Sequence, residues 1–215
     1  MDRASSDSNS DLPPRGIAVL GGSFNPPHRT HVTLARHALA SLPIHELRVI
    51  PAGDHPHKGD QDMASARHRL EMARLAFAQI PGVTVDDREL RRSGLSFTTE
   101  TLEQLAQESP QTRLFFLIGS DNLPLLPSWH LHHRLLEIAT VVTFPRRGYT
   151  VRPQDLDGLD LSLAEREALL QNQLELPADD VSASDIRARW RRGARPISEL
   201  PDAVAAYMEA NDLYR

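Results

Sequence analysis

Two histidines, His28 and His31, stand three residues apart at the end of the stretch Gly21-Gly22-Ser23-Phe24-Asn25-Pro26-Pro27. An apolar run precedes this stretch and a helical pattern follows it, so it reads as a loop leading from a strand into a helix. Glycines let such a loop turn tightly and approach a ligand closely, while the helix start beyond supplies free N–H groups and the positive end of a dipole. Imidazole N–H groups add further donors. The chemistry this combination suits is the holding of a phosphate. The loop is neither the G-x-G-x-x-G dinucleotide fingerprint nor a P-loop ending in Gly-Lys-Ser/Thr, so a hydride-transfer dehydrogenase and a standard ATPase are not indicated. A zinc site at His28 and His31 lacks a recognisable third ligand. The run His130, His132, His133 reads as a partly exposed helix face beside Trp129, and no protein metal site is expected.

The elements that must position these residues are legible as alternating patterns. Five short β-type runs, residues 17–20, 46–50, 83–85, 113–118 and 141–144, are separated by apolar residues at helical spacing. Val32, Ala35, Leu39 and Leu42 form one stripe, and Met72, Leu75, Ala76 and Ile80 a second. Leu102, Leu105 and Ala106 form a third, and Leu131, Leu135 and Ile138 a fourth. Strand–helix alternation requires parallel pairing with right-handed crossovers, hence an α/β fold with a doubly wound open parallel sheet. The run LFFLI, residues 114–118, is apolar on both faces, as a central parallel strand is. Ligands of such sheets bind beyond the carboxyl ends of the strands, where the Gly21–His31 stretch lies.

Downstream, residues 146–162 read as a loop and residues 164–171 as a short helix. Another helix is expected near Ser184, with Ser182, Ser184 and Asp185 as capping oxygens, and a last one from Pro201 as its first residue. Residues 1–14 are expected to be a loose tail ahead of a single domain over 15–215, whose residues 178–215 form a C-terminal helical subregion.

Composition bounds the function. A chain of 215 residues that is 40% hydrophobic and 25% charged is neither collagen-like, disordered nor a disulfide scaffold. The lack of cysteine removes disulfides, thiolate nucleophiles and Cys-ligated metals together. No apolar run approaches the roughly 20 residues that span a bilayer, and the start lacks the apolar stretch of a secretion signal, so a cytoplasmic protein with no membrane partner is expected. A formal charge of −5 argues against a nucleic-acid partner while allowing a local anion site. A homo-oligomer is left open.

Gly22-Ser23-Phe24-Asn25-Pro26 followed by His28-x-x-His31 resembles the G-x-F-x-P-x-H-x-G-H signature of the nucleotidylyltransferase superfamily. Further stretches resemble its bacterial nicotinate mononucleotide adenylyltransferase branch. Pro56-His57-Lys58, followed by Ala64, Arg67, Arg69, Leu70 and Met72, is similar to that branch's P-H-K loop and the helix after it. Arg92-x-Gly94-x-Ser96-Phe97-Thr98-x-x-Thr101-Leu102 resembles its R-x-G-x-S-Y-T-x-x-T-L segment. Gly119-x-Asp121 and Trp129-His130 resemble its G-x-D and W-H elements, and Val181 to Arg187 its I-S-S-T-x-I-R stretch. Leu213-Tyr214 ends the chain in the branch's manner. Thr30 departs from the pattern, standing where the signature has glycine, and Val181, Ala183 and Ser184 replace Ile, Ser and Thr. A β-branched residue at Thr30 crowds a triphosphate if positive φ is needed there, or else adds a hydroxyl donor.

The resemblance implies a Rossmann-like nucleotidyltransferase fold and transfer of the adenylyl group of ATP to nicotinate mononucleotide, with Mg²⁺ accompanying ATP. It implies that His28, His31 and Arg187 are the catalytic residues at the ATP phosphates. ATP would also meet Gly21, Gly22, Ser23, Phe24, Gly119, Asp121, Ser182, Ser184 and Ile186. The acceptor would meet Lys58, Ser96, Phe97, Thr98, Trp129 and His130, with Trp129 stacking under the pyridine ring. Rival readings are transfer to nicotinamide mononucleotide, or a catalytically weak nucleotide-binding regulatory module, for which Thr30 is the hint.

Overall fold

Residues 16–53, 63–146, 149, 151–176 and 181–215 are described by a computed structural model. Their strands are β1 (Gly16–Gly22), β2 (Ile44–Pro51), β3 (Val83–Val85), β4 (Leu114–Gly119) and β5 (Ala139–Phe144), each within two residues of its expected run. All pair in parallel, in the order β3-β2-β1-β4-β5. The doubly wound open parallel sheet is therefore what the structure shows. Winding reverses between β1 and β4, and the crevice beyond their carboxyl ends is where such sheets bind ligands.

Period-two alternation sends β1 side chains to opposite layers. Ala18 and Leu20, with Phe115 and Leu117 of β4, pack on one face against Leu34 of α1 (Arg29–Ser41), Met72 of α2 (Ala66–Phe77), Trp190 of α7 (Ala183–Arg191) and Met208 of α8 (Asp202–Ala210). Ile17 and Val19, with Phe116, pack on the other against Leu102 of α4 (Thr98–Glu108), Leu135 of α5 (His132–Ile138) and Leu169 of α6 (Leu163–Gln171). A four-residue α3 (Arg88–Arg91) precedes α4. Among the described residues, no helix is long and apolar enough to cross a membrane.

Several local expectations need correction. The buried face of α1 is Leu34, Ala35 and Ala38, while Val32, Leu39 and Leu42 flank it at half burial. Ile80 is buried beyond the end of α2 rather than on it. Leu131 is no part of a helical stripe: it adopts a left-handed φ of 52° ahead of α5 and is 57% exposed. The expected loop over 146–162 contains a 3₁₀ turn, Pro153–Leu156, that buries Leu156. Pro201 caps α8 from outside its first turn. Ser182 is the N-cap residue of α7, but its hydroxyl pairs with that of Ser184 at 2.7 Å instead of capping a backbone N–H.

Candidate active site

The β1–α1 connection carries its chain inward. Phe24 has a φ of 46° and is 1% exposed, its ring edge-on to His31 at 5.1 Å and to Phe77 at 6.0 Å. Burying a phenylalanine contributes roughly 1.5–3 kcal/mol, comparable to the roughly 1–3 kcal/mol a left-handed non-glycine residue costs. A Cβ at Gly22 would sit 3.3 Å from the Phe24 ring, which would have to give by a few tenths of an ångström. His28 then caps α1 in an extended conformation and is buried. Its ring lies 3.8 Å from that of His31, centroid to centroid.

The tautomer of His31 follows from its contacts. The backbone N–H of His28 donates to His31 Nδ1 at 3.1 Å, which leaves the ring proton on Nε2. Its imidazole lies among protein atoms although the residue keeps some surface. Burial, then the neighbouring His28 and Arg146, hold its pKa well below the usual 6.5. His31 is therefore a neutral donor near pH 7, with its N–H fixed in direction.

Two arginines fasten the loop from behind. Arg187, on α7 and 9% exposed, donates from Nη1 to the Asn25 carbonyl at 2.9 Å. Arg69, on α2 and 4% exposed, donates to the Ser23 carbonyl at 3.1 Å and to the Ala64 carbonyl at 3.2 Å. The Asn25 side-chain oxygen accepts from the Ala64 N–H at 3.0 Å and from the Tyr214 hydroxyl at 2.6 Å. Burial pushes the Tyr214 phenol up, so it stays a protonated donor.

Across the crevice, β4 ends at Gly119, where a Cβ would come within 2.5 Å of Asp121 Oδ1 and 2.9 Å of Arg146 Cγ. Asp121, the second residue of a 3₁₀ segment, Ser120–Ser128, accepts from Asn122 at 3.2 Å and lies 3.8 Å from Arg146 Nε. Ser120, buried, accepts from the Arg146 N–H at 3.1 Å and donates to the Tyr149 carbonyl at 2.6 Å. Arg146 thus links the ends of β4 and β5 and brings a cation near His31.

Beyond the 3₁₀ segment, half-buried Trp129 packs edge-on to Phe116 at 6.0 Å, and the His130 ring stacks on Phe97 at 4.5 Å. Thr99 donates to the His130 carbonyl at 2.6 Å, joining the start of α4 to this strip. Ser96 is buried and reaches the Glu89 carbonyl at 3.5 Å, while Thr98 opens α4 at half burial.

Histidine and arginine side chains thus gather at the strand-order reversal, with aromatic rings beyond it. The model of the cytidylyltransferase-like family covers residues 19–189. A protein of Albidiferax ferrireducens, named probable nicotinate-nucleotide adenylyltransferase, is 38% identical over 199 residues, which is 93% of this chain and 98% of that one. The chain belongs to the nicotinate-nucleotide adenylyltransferase family. A relative of the same name from Roseiflexus castenholzii is 40% identical over 198 residues, covering 92% of this chain and 96% of its own. The structure of Plasmodium falciparum nicotinic acid mononucleotide adenylyltransferase complexed with NaAD superposes with a TM-score of 0.68 at 16% identity, covering 93% and 97% of the two chains, and so shares the fold.

Within this family member, the structure brings His28, His31, Arg187, Gly21, Gly22 and Ser23 to one loop, Gly119 and Asp121 to the adjacent strand end, and Phe97, Trp129 and His130 to one shelf. Lys58 lies outside the described residues. The side chain of Ile186 is 1% exposed in the core and its N–H donates to the Ser182 carbonyl, so it supports α7. Phe24 likewise buttresses His31 from the core. Sequence reasoning missed Arg146 and Thr99. A basic residue just past the carboxyl end of β5 was the available signal for Arg146, and Thr99 had none.

Thr30 sits in the first turn of α1 with no positive φ, so the backbone conflict feared at this position does not arise.

Proposed function

We propose that this protein transfers the adenylyl group of ATP to nicotinate mononucleotide, forming nicotinate adenine dinucleotide and pyrophosphate in the cytoplasmic synthesis of NAD. The observation that carries the reading is the fixed pair His28–His31, with Arg187 behind it, at the reversal between β1 and β4. In the reaction, a 5′-phosphate oxygen of the acceptor forms a bond to the α-phosphorus of ATP while the bond from that phosphorus to the pyrophosphate oxygen breaks. The nucleophile is already an anion, so neither a protein nucleophile nor a general base is required. What the protein supplies is in-line alignment and donors where negative charge grows.

His31 offers its Nε2–H in a direction set by the His28 backbone. Arg187 uses Nη1 on the Asn25 carbonyl and holds a charged guanidinium beneath the loop. Magnesium suits this donor set, because the pocket presents N–H groups and Asp121 is already engaged by Asn122 and Arg146, leaving phosphate oxygens and water as ligands. When bound, it would neutralise polyphosphate charge. In this reading Trp129 would offer a face to the pyridine ring, near the Phe97–His130 ring pair, with Ser96 and Thr98 at the start of α4 as further acceptor contacts.

A carboxylate on that ring differs from an amide by one charge, and donors arranged for the acid are left unpaired by the amide. We therefore expect kcat/KM for nicotinate mononucleotide to exceed that for nicotinamide mononucleotide by roughly 10²-fold or more. Steady-state kinetics on the two acceptors tests this, and equal use of both contradicts it.

A further inference from the structure

Away from the crevice, the first turn of α5 aims two imidazoles at one carboxylate oxygen. Asp160 Oδ2 lies 3.9 Å from His132 Nε2 and 3.7 Å from His133 Nε2. The two rings are 4.0 Å apart and tilted by 39°. One ligand atom from each of the three residues lies within 4.8 Å of the other two. Donors about 2.0–2.1 Å from a tetrahedral ion stand about 3.4 Å from one another, so closing this triangle needs only a short movement. Asp160 is the partner free to make it, with its side chain 79% exposed, while His132 is anchored at 8%.

Glu165 supplies a second, independent feature. Its Oε1 accepts from His133 Nδ1–H at 2.7 Å, and its Oε2 accepts from the Ser162 N–H at 2.6 Å. The carboxylate is itself held, so it fixes the His133 tautomer and turns the Nε2 lone pair toward Asp160. This is the outer carboxylate that metal-ligating histidines usually possess. His132 Nε2 lies 3.0 Å from the Asp160 carbonyl, to which it donates when it carries the proton.

The geometry points to a binding site for a divalent transition-metal ion of the zinc class at His132, His133 and Asp160, with Glu165 as outer partner and water completing the shell. On binding, the ion takes the Nε2 positions and each neutral imidazole keeps one proton on Nδ1, any further proton passing to solvent. Two imidazoles select zinc, cobalt or nickel over magnesium, so the cation that accompanies ATP does not compete for the site. The ion would join α5 to the 157–161 loop. The sequence reading of these histidines as a partly exposed helix face overlooked Asp160, 27 positions beyond His133.

The test is a calorimetric titration of the chelator-treated full chain with ZnCl₂, repeated with CoCl₂ and read by visible absorption. We expect about one equivalent bound per chain at this site, unaffected by millimolar MgCl₂, and a melting temperature that rises with zinc. His133→Gln and Asp160→Asn should each weaken binding at least roughly 10-fold and abolish the zinc-dependent rise, and Glu165→Gln should weaken it roughly 10- to 100-fold. Both substituted ligands are largely exposed, so metal-free melting should stay near that of the parent. His37→Gln serves as a control for surface histidines and should change nothing. An absence of zinc binding overturns the proposal, as does binding that survives both His133→Gln and Asp160→Asn unchanged. These readouts need no turnover, so they stand or fall separately from the adenylyl-transfer reading.

Discussion

At the β1 end of the crevice, His31 and Arg187 are each held by a bond to the backbone of the loop they serve, and Arg69 and Tyr214 secure the same loop from α2 and the C-terminus. At the shelf beyond β4, Phe97 meets His130 and Trp129 meets Phe116 through ring faces and edges, with one hydroxyl bond from Thr99. The difference follows what each end must do. Stabilising charge that develops during a reaction requires donors already in place, since reorganising them then costs free energy. A flat ring needs a surface, and stacking tolerates small adjustment. Damage at the first end should therefore appear in kcat, and damage at the second in the acceptor KM.

The largest effect should come from removing a donor at the β1 end. His31→Ala and Arg187→Ala are each expected to lower kcat roughly 10²-fold or more. Arg187→Ala should also destabilise by about 1–3 kcal/mol, because the buried Asn25 carbonyl loses its charged donor. Steady-state kinetics with thermal melts separates the two contributions, and near-normal kcat in both variants would remove these residues from the phosphate site. At the shelf, Trp129→Ala should raise the acceptor KM roughly 10-fold, in line with about 1–3 kcal/mol for stacking on an aromatic side chain. Calorimetry should find ATP affinity unchanged, and a defect confined to ATP would move Trp129 to the other half of the site.

Tyr214→Phe sharpens the comparison by touching only the anchoring of the loop. Loss of the bond to Asn25 should cost about 1 kcal/mol, or about 2–4 °C in melting temperature, and lower kcat modestly without moving the acceptor KM. The depressed pKa of His31 gives a further, pH-dependent signature. The unfolded chain takes up a proton at this residue near 6.5 and the folded chain only well below that value. The stability contributed by the neutral ring is thus complete above 6.5 and lost as pH falls from there toward the folded pKa. Denaturant unfolding of His31→Gln should show a shallower fall over that window, by up to about 1.4 kcal/mol per pH unit. An unchanged slope would show the ring to be freely titrating. Smallest of all, Thr30→Gly should cost a few tenths of a kcal/mol for its place in α1 and leave ATP affinity unaltered in a binding titration. Tighter binding would mean that the side chain crowds the triphosphate.

The same contrast governs what could be read from the sequence. The strands and the loop of Gly22, His28 and His31 are local patterns, and they fall where the alternation puts them. Leu131 was misplaced because a left-handed residue before α5 breaks the stripe its spacing suggests. The α1 face keeps Ala35 but turns toward Leu34 and Ala38 and away from Val32 and Leu39, because several overlapping helical spacings fit this alanine- and leucine-rich stretch. The anchors Arg69, Arg146 and Tyr214 act across long sequence separations. Nothing near Tyr214 says that its hydroxyl meets Asn25, 189 positions earlier. Catalytic candidates were legible because their loop carries a motif, whereas the residues that make them rigid were set by tertiary packing.

The central claim is that this crevice joins an adenylyl group to a pyridine mononucleotide, and product identification tests it most directly. Purified protein incubated with ATP, nicotinate mononucleotide and MgCl₂ should form pyrophosphate and nicotinate adenine dinucleotide in equal amounts, followed by phosphorus NMR. Substitution of Arg187 by Ala should slow both products together. If the protein binds ATP yet forms no dinucleotide and releases no pyrophosphate with either pyridine mononucleotide, the account is wrong.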